Sequence, residues 1–211
     1  MMMFDEESKK FKNRVAAGRA LASEIKKRKI KADLIIALPR GGVPVGKILS
    51  EEMQLPLKLC YVKKIGHPVN KEYAIGAVTE DDELIINNEH IDEQYINKMI
   101  SKARSRIMEM KLKFGHNYDS HELVKKTIIL VDDGIATGIC LKLAAIVMRK
   151  HNAQKIIIAT PVCAANTVSI MQKTSDLFIC LLSPLYFVGI GAYYNEFNQL
   201  TDEEVSTILS S

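Results

Sequence analysis

From Lys126 to Cys140 the chain reads Lys-Thr-Ile-Ile-Leu-Val-Asp-Asp-Gly-Ile-Ala-Thr-Gly-Ile-Cys, and this run limits the possible folds more than any other. Ile128, Ile129, Leu130 and Val131, preceded by the methyl of Thr127, are too few for the buried stripe of a helix. They are too continuous for a strand with one face in water, so the run predicts a central strand of a parallel sheet. Asp132 and Asp133 then leave the sheet at its carboxyl edge, where open α/β sheets take their ligands. The fold class is therefore α/β.

Residue chemistry narrows the ligand. Successive strand side chains point to opposite faces, but here the strand ends and the chain turns, so both carboxylates can come round to accept from two neighbouring hydroxyls. Gly134, Ala136, Thr137 and Gly138 let the backbone approach an anion, and amides of the turn and of the helix that follows, from Leu141 and Lys142 onward, point at it. A vicinal diol with a phosphate is ribose 5-phosphate. An ordinary Asp-Asp-Gly turn after a core strand is the competing reading, and it leaves the Ala-Thr-Gly and the helix after it unexplained.

Four apolar residues, two acidic ones, a short linker and Thr-Gly resemble the signature of the type I phosphoribosyltransferases, whose donor is 5-phosphoribosyl 1-pyrophosphate (PRPP). The resemblance implies an open, mostly parallel sheet flanked by helices, with a small helical and hairpin hood. It implies Asp132 and Asp133 as catalytic residues together with Arg40. Gly134, Ile135, Ala136, Thr137, Gly138, Ile139 and Cys140 become the loop for the 5-phosphate. Mg²⁺ is the implied cofactor, arriving with PRPP and possible at Asp132 and Asp133; the acceptor is a nucleobase or similar nitrogen compound, and the assembly a homodimer.

Three further segments agree. Residues 32–38 read as a short apolar strand, followed by Pro39-Arg40-Gly41-Gly42-Val43-Pro44 and a helix over 45–53. In the resembled family this loop holds pyrophosphate, which assigns Arg40, Gly41 and Gly42 and implies a cis peptide entering Arg40; a guanidinium keeps its charge and grips phosphate with two donors. Residues 57–65 read as one strand ending in Lys63-Lys64, with a polar loop from Gly66 to Tyr73 after it. In the resembled family a loop at this place closes over the donor and excludes water, which implies Lys63, Lys64 and His67 as candidate pyrophosphate contacts. Near the C-terminus, residues 183–197 are similar to the Phe-Val-Gly and Tyr-Asn-Glu segment of the 6-oxopurine enzymes, which makes Phe187, beside Val188, the base-stacking candidate; a core phenylalanine is the bland alternative.

The chain also departs from the pattern. Cys140 stands where a Ser or Thr hydroxyl usually helps to hold the 5-phosphate, so main-chain amides carry more of that contact. Ala136 and Tyr193 stand where the 6-oxopurine enzymes have aspartates, so hypoxanthine and guanine are not the expected acceptors. The whole resembles a family of phosphoribosyltransferases with no assigned acceptor.

At 211 residues and 47% hydrophobic content, one α/β core is expected. The expected organisation is a single domain over 1–211, with 80–125 as the hood insertion: a hairpin (74–79 and 84–87 around Glu80-Asp81-Asp82-Glu83) and an amphipathic helix over 92–114 that covers the acceptor side. Cys60, Cys140, Cys163 and Cys180 are widely spaced, which argues against both a zinc motif and disulfides. No apolar run reaches membrane-spanning length and acidic residues follow Met1-Met2-Met3-Phe4 at once, so the expected location is the cytoplasm. Through Lys31 the net charge is +6, leaving −2 for the rest. Phe11, Val15, Gly18, Ala22 and Ile25 predict an amphipathic helix whose basic residues are a solvated face rather than a nucleic-acid surface. Downstream, 155–162 is a strand, 164–174 a helix, 177–182 a strand, and Thr201 to Glu204 a capping box. Two other functions fit less of the pattern: a non-catalytic regulator that keeps the donor site and is linked to nucleic acid through the basic N-terminal face, and a receiver-like or phosphatase-like domain whose acidic pair would follow its first strand.

Overall fold

The computed structural model describes residues 10–70, 74–86, 91–115 and 117–211. Expectations on the first nine residues, on 71–73 in the polar loop and on Asn87 in the hairpin lie outside them. In chain order the elements are α1 (Arg14–Lys27), β1 (Leu34–Ala37), α2 (Gly42–Met53), β2 (Leu57–Leu59), β3 (Val62–Gly66), β4 (Ala74–Thr79), β5 (Leu84–Ile86), α3 (Glu93–Phe114), α4 (Ser120–Leu123), β6 (Thr127–Val131), α5 (Ile139–Lys150), β7 (Lys155–Val162), α6 (Ala165–Thr174), β8 (Leu177–Leu182) and α7 (Asp202–Ser210).

Five strands form a parallel sheet in the order β2-β1-β6-β7-β8, so the expected central strand is β6 and lies in the middle. The alternation of side chains sorts its core into two layers. Leu34, Ile36, Ile128, Leu130, Ile156 and Ile158 face α5, whereas Ile35, Ala37, Ile129, Val131, Ile157 and Ala159 face α1, α2, α3 and α7. Each fully buried Ile or Leu of β6 contributes about 1.5–3 kcal/mol relative to exposure.

Boundaries moved where sequence signals were local. The helix expected over 45–53 starts at Gly42, because Pro44 falls in the first turn, where a missing N–H costs nothing. In α1 the buried residues are Ala17, Gly18, Leu21, Ala22 and Ile25, while Val15 is 38% exposed and Phe11 precedes the helix, bridging to Tyr194. The single strand expected over 57–65 is two: β2 pairs with β1, and after Cys60 and Tyr61 the chain crosses into a separate antiparallel sheet, β3-β4-β5. Cys60 N still donates to Ala37 O, and Tyr61 N to Glu80 Oε1, so the crossing keeps its backbone satisfied.

The four acids of the β4–β5 turn each have a basic or hydroxyl partner: Glu80 with Lys111 (2.9 Å), Asp81 with Tyr118 (2.7 Å), Asp82 with Arg104 (2.8 Å) and Glu83 with Lys150 (2.5 Å). Helix α3, the helix of the expected hood, packs on β3, β4 and α7, and its Ala103, Ile107, Met110 and Phe114 share the layer of Ile35 and Ile157. The capping box at Thr201 is formed, Thr201 Oγ1 accepting from Glu204 N (3.2 Å) and Thr201 N donating to Glu204 Oε2 (2.7 Å). No helix among the described residues is long and apolar enough to cross a membrane.

Candidate active site

The strand order places β1 beside β6, yet β1 connects outward to β2 and β6 connects the other way to β7. Such a switch point leaves a crevice beyond the carboxyl ends of the two strands. The loops that follow β1 and β6 fill its rim, so the two segments singled out in the sequence meet. A Cβ added to Gly42 would lie 2.7 Å from Val131 O, and one added to Gly41 would lie 2.3 Å from Asp133 Oδ2. The Pro39–Arg40 peptide is cis, as expected.

Two cavities open at this rim. One, about 390 Å³, is lined by Asp132, the 134–140 loop, Lys64, Leu141, Phe187, Gly189, Ile190, Gly191 and Phe197. The other, about 550 Å³, is lined by Arg14, Pro39, Arg40, Gly41, Lys63, Asp132, Asp133, Phe197, Gln199 and Leu200. Asp132 and Phe197 belong to both.

The two carboxylates are not equivalent. Asp133 is buried, and its Oδ2 accepts from Arg14 Nε at 2.7 Å. Asp132 is half-buried, and its Oδ1 accepts from Asp133 N at 2.9 Å. Burial, and then the charge of Asp133, push Asp132 well above the usual carboxylate range. Burial also raises Asp133, but Arg14 opposes that push.

The 134–140 loop is fixed from below and open above. Ile135 N donates to Val162 O (2.9 Å), and Thr167 Oγ1 donates to Ala136 O (2.6 Å). Ala136 and Thr137 are exposed, and Gly138 takes φ +73° as the residue before α5. The first amides of α5 therefore face the cavity with the positive end of the helix. Ile139 is buried beneath it and Cys140 lines it; burial, then the charge of Asp132, push the Cys140 thiol up to about 12, so it stays neutral.

The cationic candidates divide between the cavities. Lys63 and Lys64 are consecutive in β3, so they point to opposite faces, Lys63 to the larger cavity and Lys64 to the smaller. Burial, then the charges of Arg106 and Arg40, lower the pKa of Lys63. Arg40 Nη1 stands 3.5 Å from Asp202 Oδ1, and Asp202 accepts from Arg106 Nη2 with both oxygens at 2.7 Å. His67 lies outside both cavities, its Nδ1 accepting from Val69 N (3.2 Å) and Asn70 N (3.4 Å). Phe187 lines the smaller cavity with Tyr193 stacked on it (5.7 Å, 17°). Val188 is 85% exposed and lines neither.

Sequence reasoning missed Arg14, Phe197, Asp202 and Arg106. For Arg14 a signal existed: residues 14, 17, 18, 21, 22 and 25 form one helical stripe, and Arg14 continues the buried face toward the sheet edge. Phe197 and Asp202 lie in segments marked for other reasons, 183–197 and the capping box, and long-range packing brings them and Arg106 to the site.

Comparison with known proteins identifies the family and the fold. The family model described as a phosphoribosyl transferase domain matches residues 6–181. A protein of Mycobacterium tuberculosis (strain ATCC 25618 / H37Rv) named "Putative phosphoribosyl transferase Rv0571c" is 34% identical over 206 residues, 95% of this chain and 46% of the relative; the chain thus spans about half the length of the curated relatives it matches. The crystal structure of TT1426 from Thermus thermophilus superposes with a TM-score of 0.76 at 28% identity, covering 95% of this chain and 97% of that one. The APRTase from Giardia lamblia complexed with 9-deazaadenine shares the fold, with a TM-score of 0.50 at 11% identity over 82% and 80% of the two chains. With its sheet, its switch-point crevice and a family match over most of its length, the chain belongs to the phosphoribosyl transferase domain family.

Proposed function

We propose that the chain transfers ribose 5-phosphate from PRPP to a nitrogen acceptor of the nucleobase kind, with release of pyrophosphate. The observation that carries this reading is the position of Asp132 on the rim shared by both cavities. One side offers amides of an anion-binding loop and an aromatic wall; the other offers Arg40 and Lys63. The 5-phosphate sits at residues 134–140, in the cavity that Lys64 also lines, and the pyrophosphate by Arg40, Gly41, Gly42 and Lys63. The acceptor stacks on Phe187.

Breaking the C1–O bond leaves positive charge on the sugar and negative charge on pyrophosphate; the acceptor nitrogen then bonds to C1 and gives its proton to solvent. Arg40 and Lys63 stabilise the leaving group, and the carboxylate of Asp132 lies beside the developing cation. Positioning supplies much of the rate. The donor set suits Mg²⁺, a hard cation that takes oxygen ligands. Asp132, the carboxylate turned to both cavities, would hold Mg²⁺ together with oxygens of the bound substrate. When bound, Mg²⁺ neutralises phosphate charge.

The test is pyrophosphate release from PRPP and Mg²⁺ across a panel of nucleobases and heteroaromatic amines. Acceptor-dependent release, abolished in Asp132→Asn, supports transfer. PRPP binding without release for any acceptor would instead point to a regulator that keeps the donor site.

A further inference from the structure

Arg14 closes a circuit of contacts at the rim of the cleft. Its Nε donates to Asp133 Oδ2 at 2.7 Å, and its Nη1 donates to Asn198 O at 3.0 Å. Its guanidinium lies 3.8 Å from the centroid of Phe197. Phe197 also stacks with Tyr194 (4.9 Å, 29°), whose hydroxyl donates to the main-chain oxygen of Asp133 at 2.6 Å. The circuit therefore runs from Arg14 through Asp133 and Tyr194 to Phe197 and back. The side chains of Arg14 and Asp133 are only 11% and 9% exposed, so water competes little for either.

This has two consequences for the cleft. One oxygen of Asp133 is occupied by the guanidinium and the carboxylate abuts Gly41, whereas Asp132 opens to both cavities. Phe197, the ring that both cavities share, is held by Arg14 and Tyr194. We propose that Arg14 is a positioning residue of the donor site: it reserves Asp133 for structure, leaves Asp132 as the carboxylate that meets the sugar hydroxyls, and fixes the wall between the two halves of the cleft. The inference rests on the reading of the site given above. It assigns a binding role to a helix outside the sheet-edge loops and gives the two adjacent aspartates different tasks.

The experiment is equilibrium dialysis of labelled PRPP with Mg²⁺ against wild type, Asp132→Asn, Asp133→Asn, Arg14→Gln, Arg14→Lys and the Arg14→Gln/Asp133→Asn double variant, each first shown to be folded by circular dichroism. Asp132→Asn loses binding. Arg14→Gln weakens it about tenfold, the scale of one lost charge-assisted hydrogen bond. Because Arg14 acts through Asp133, the double variant is no weaker than the weaker single one. Arg14→Lys recovers part of the loss, since it keeps the charge without the planar fork and the stack. Should Arg14→Gln fail to fold, Phe197→Leu leaves the ion pair intact and still weakens binding severalfold. Wild-type binding with Arg14→Gln unchanged, with fully additive losses, or with Asp133→Asn as damaging as Asp132→Asn overturns the inference alone; unchanged binding by Phe197→Leu does so as well. Absence of binding by the wild type overturns the reading of the site and this inference together.

Discussion

Gly41 and Asp133 occupy each other's space: the position a Cβ on residue 41 would take lies 2.3 Å from Asp133 Oδ2. The carboxylate cannot swing aside, because Arg14 holds it at 2.7 Å. Gly41→Ala is therefore expected to destabilise the protein by about 1–3 kcal/mol, the cost of overpacking a well-filled site. Urea denaturation measures this. The same variant is expected to weaken ligand binding, since relief requires the loops after β1 and β6 to part.

Asp132 predicts an unusual pH dependence. Its pKa is raised in the fold above the ordinary value of 3.8, so between the unfolded and folded values the native state holds more protons than the unfolded one. Stability from this group is greatest below the unfolded value and falls as pH rises toward and through the folded one. At pH 7 Asp132→Asn is expected to be at least as stable as wild type while losing function, a trade common at binding sites. Thermal melts from pH 4 to pH 8 check it: the advantage of the variant grows with pH.

Asp202 has the opposite sign. Arg106 first, opposed in part by burial, holds its carboxyl below the ordinary 3.8. Its contribution is present above the unfolded value and disappears as pH falls through the folded one. Asp202→Asn is expected to cost about 1 kcal/mol at neutral pH, a figure kept small because Arg106 is partly exposed and salt screens the pair. Denaturation at low and high ionic strength measures it, with a smaller cost in high salt.

In the 134–140 loop, Gly138 combines φ +73° with a Cβ position 2.6 Å from Met171 Cε. Gly138→Ala is expected to lose about 1–2 kcal/mol from the left-handed backbone alone. It also shifts the first amides of α5, so phosphate or PRPP binding should weaken in the same variant. A ³¹P line-broadening titration reads that effect.

The sequence made the two loops legible because each is a contiguous signal: an apolar strand, then charge and glycine. It also placed β6 at the centre, since only a doubly covered strand tolerates Ile128 to Val131 without a polar break. What stayed hidden depends on separation along the chain. Arg14 and Asp133 are 119 residues apart, and nothing near Arg14 distinguishes its guanidinium from the solvated cations beside it except its place on the buried stripe. The division of 57–65 into β2 and β3 was hidden for a similar reason: an extended backbone continues through Cys60 and Tyr61, and the change of partner is set by Ala37 and Glu80.

PRPP is proposed to bind at the rim around Asp132. Calorimetric titration of PRPP with Mg²⁺ into the wild type and into Asp132→Asn tests it without any choice of acceptor. One site per chain with micromolar affinity is expected in the wild type and no detectable heat of binding in the variant. No binding by the wild type, or equal binding by Asp132→Asn, would contradict it.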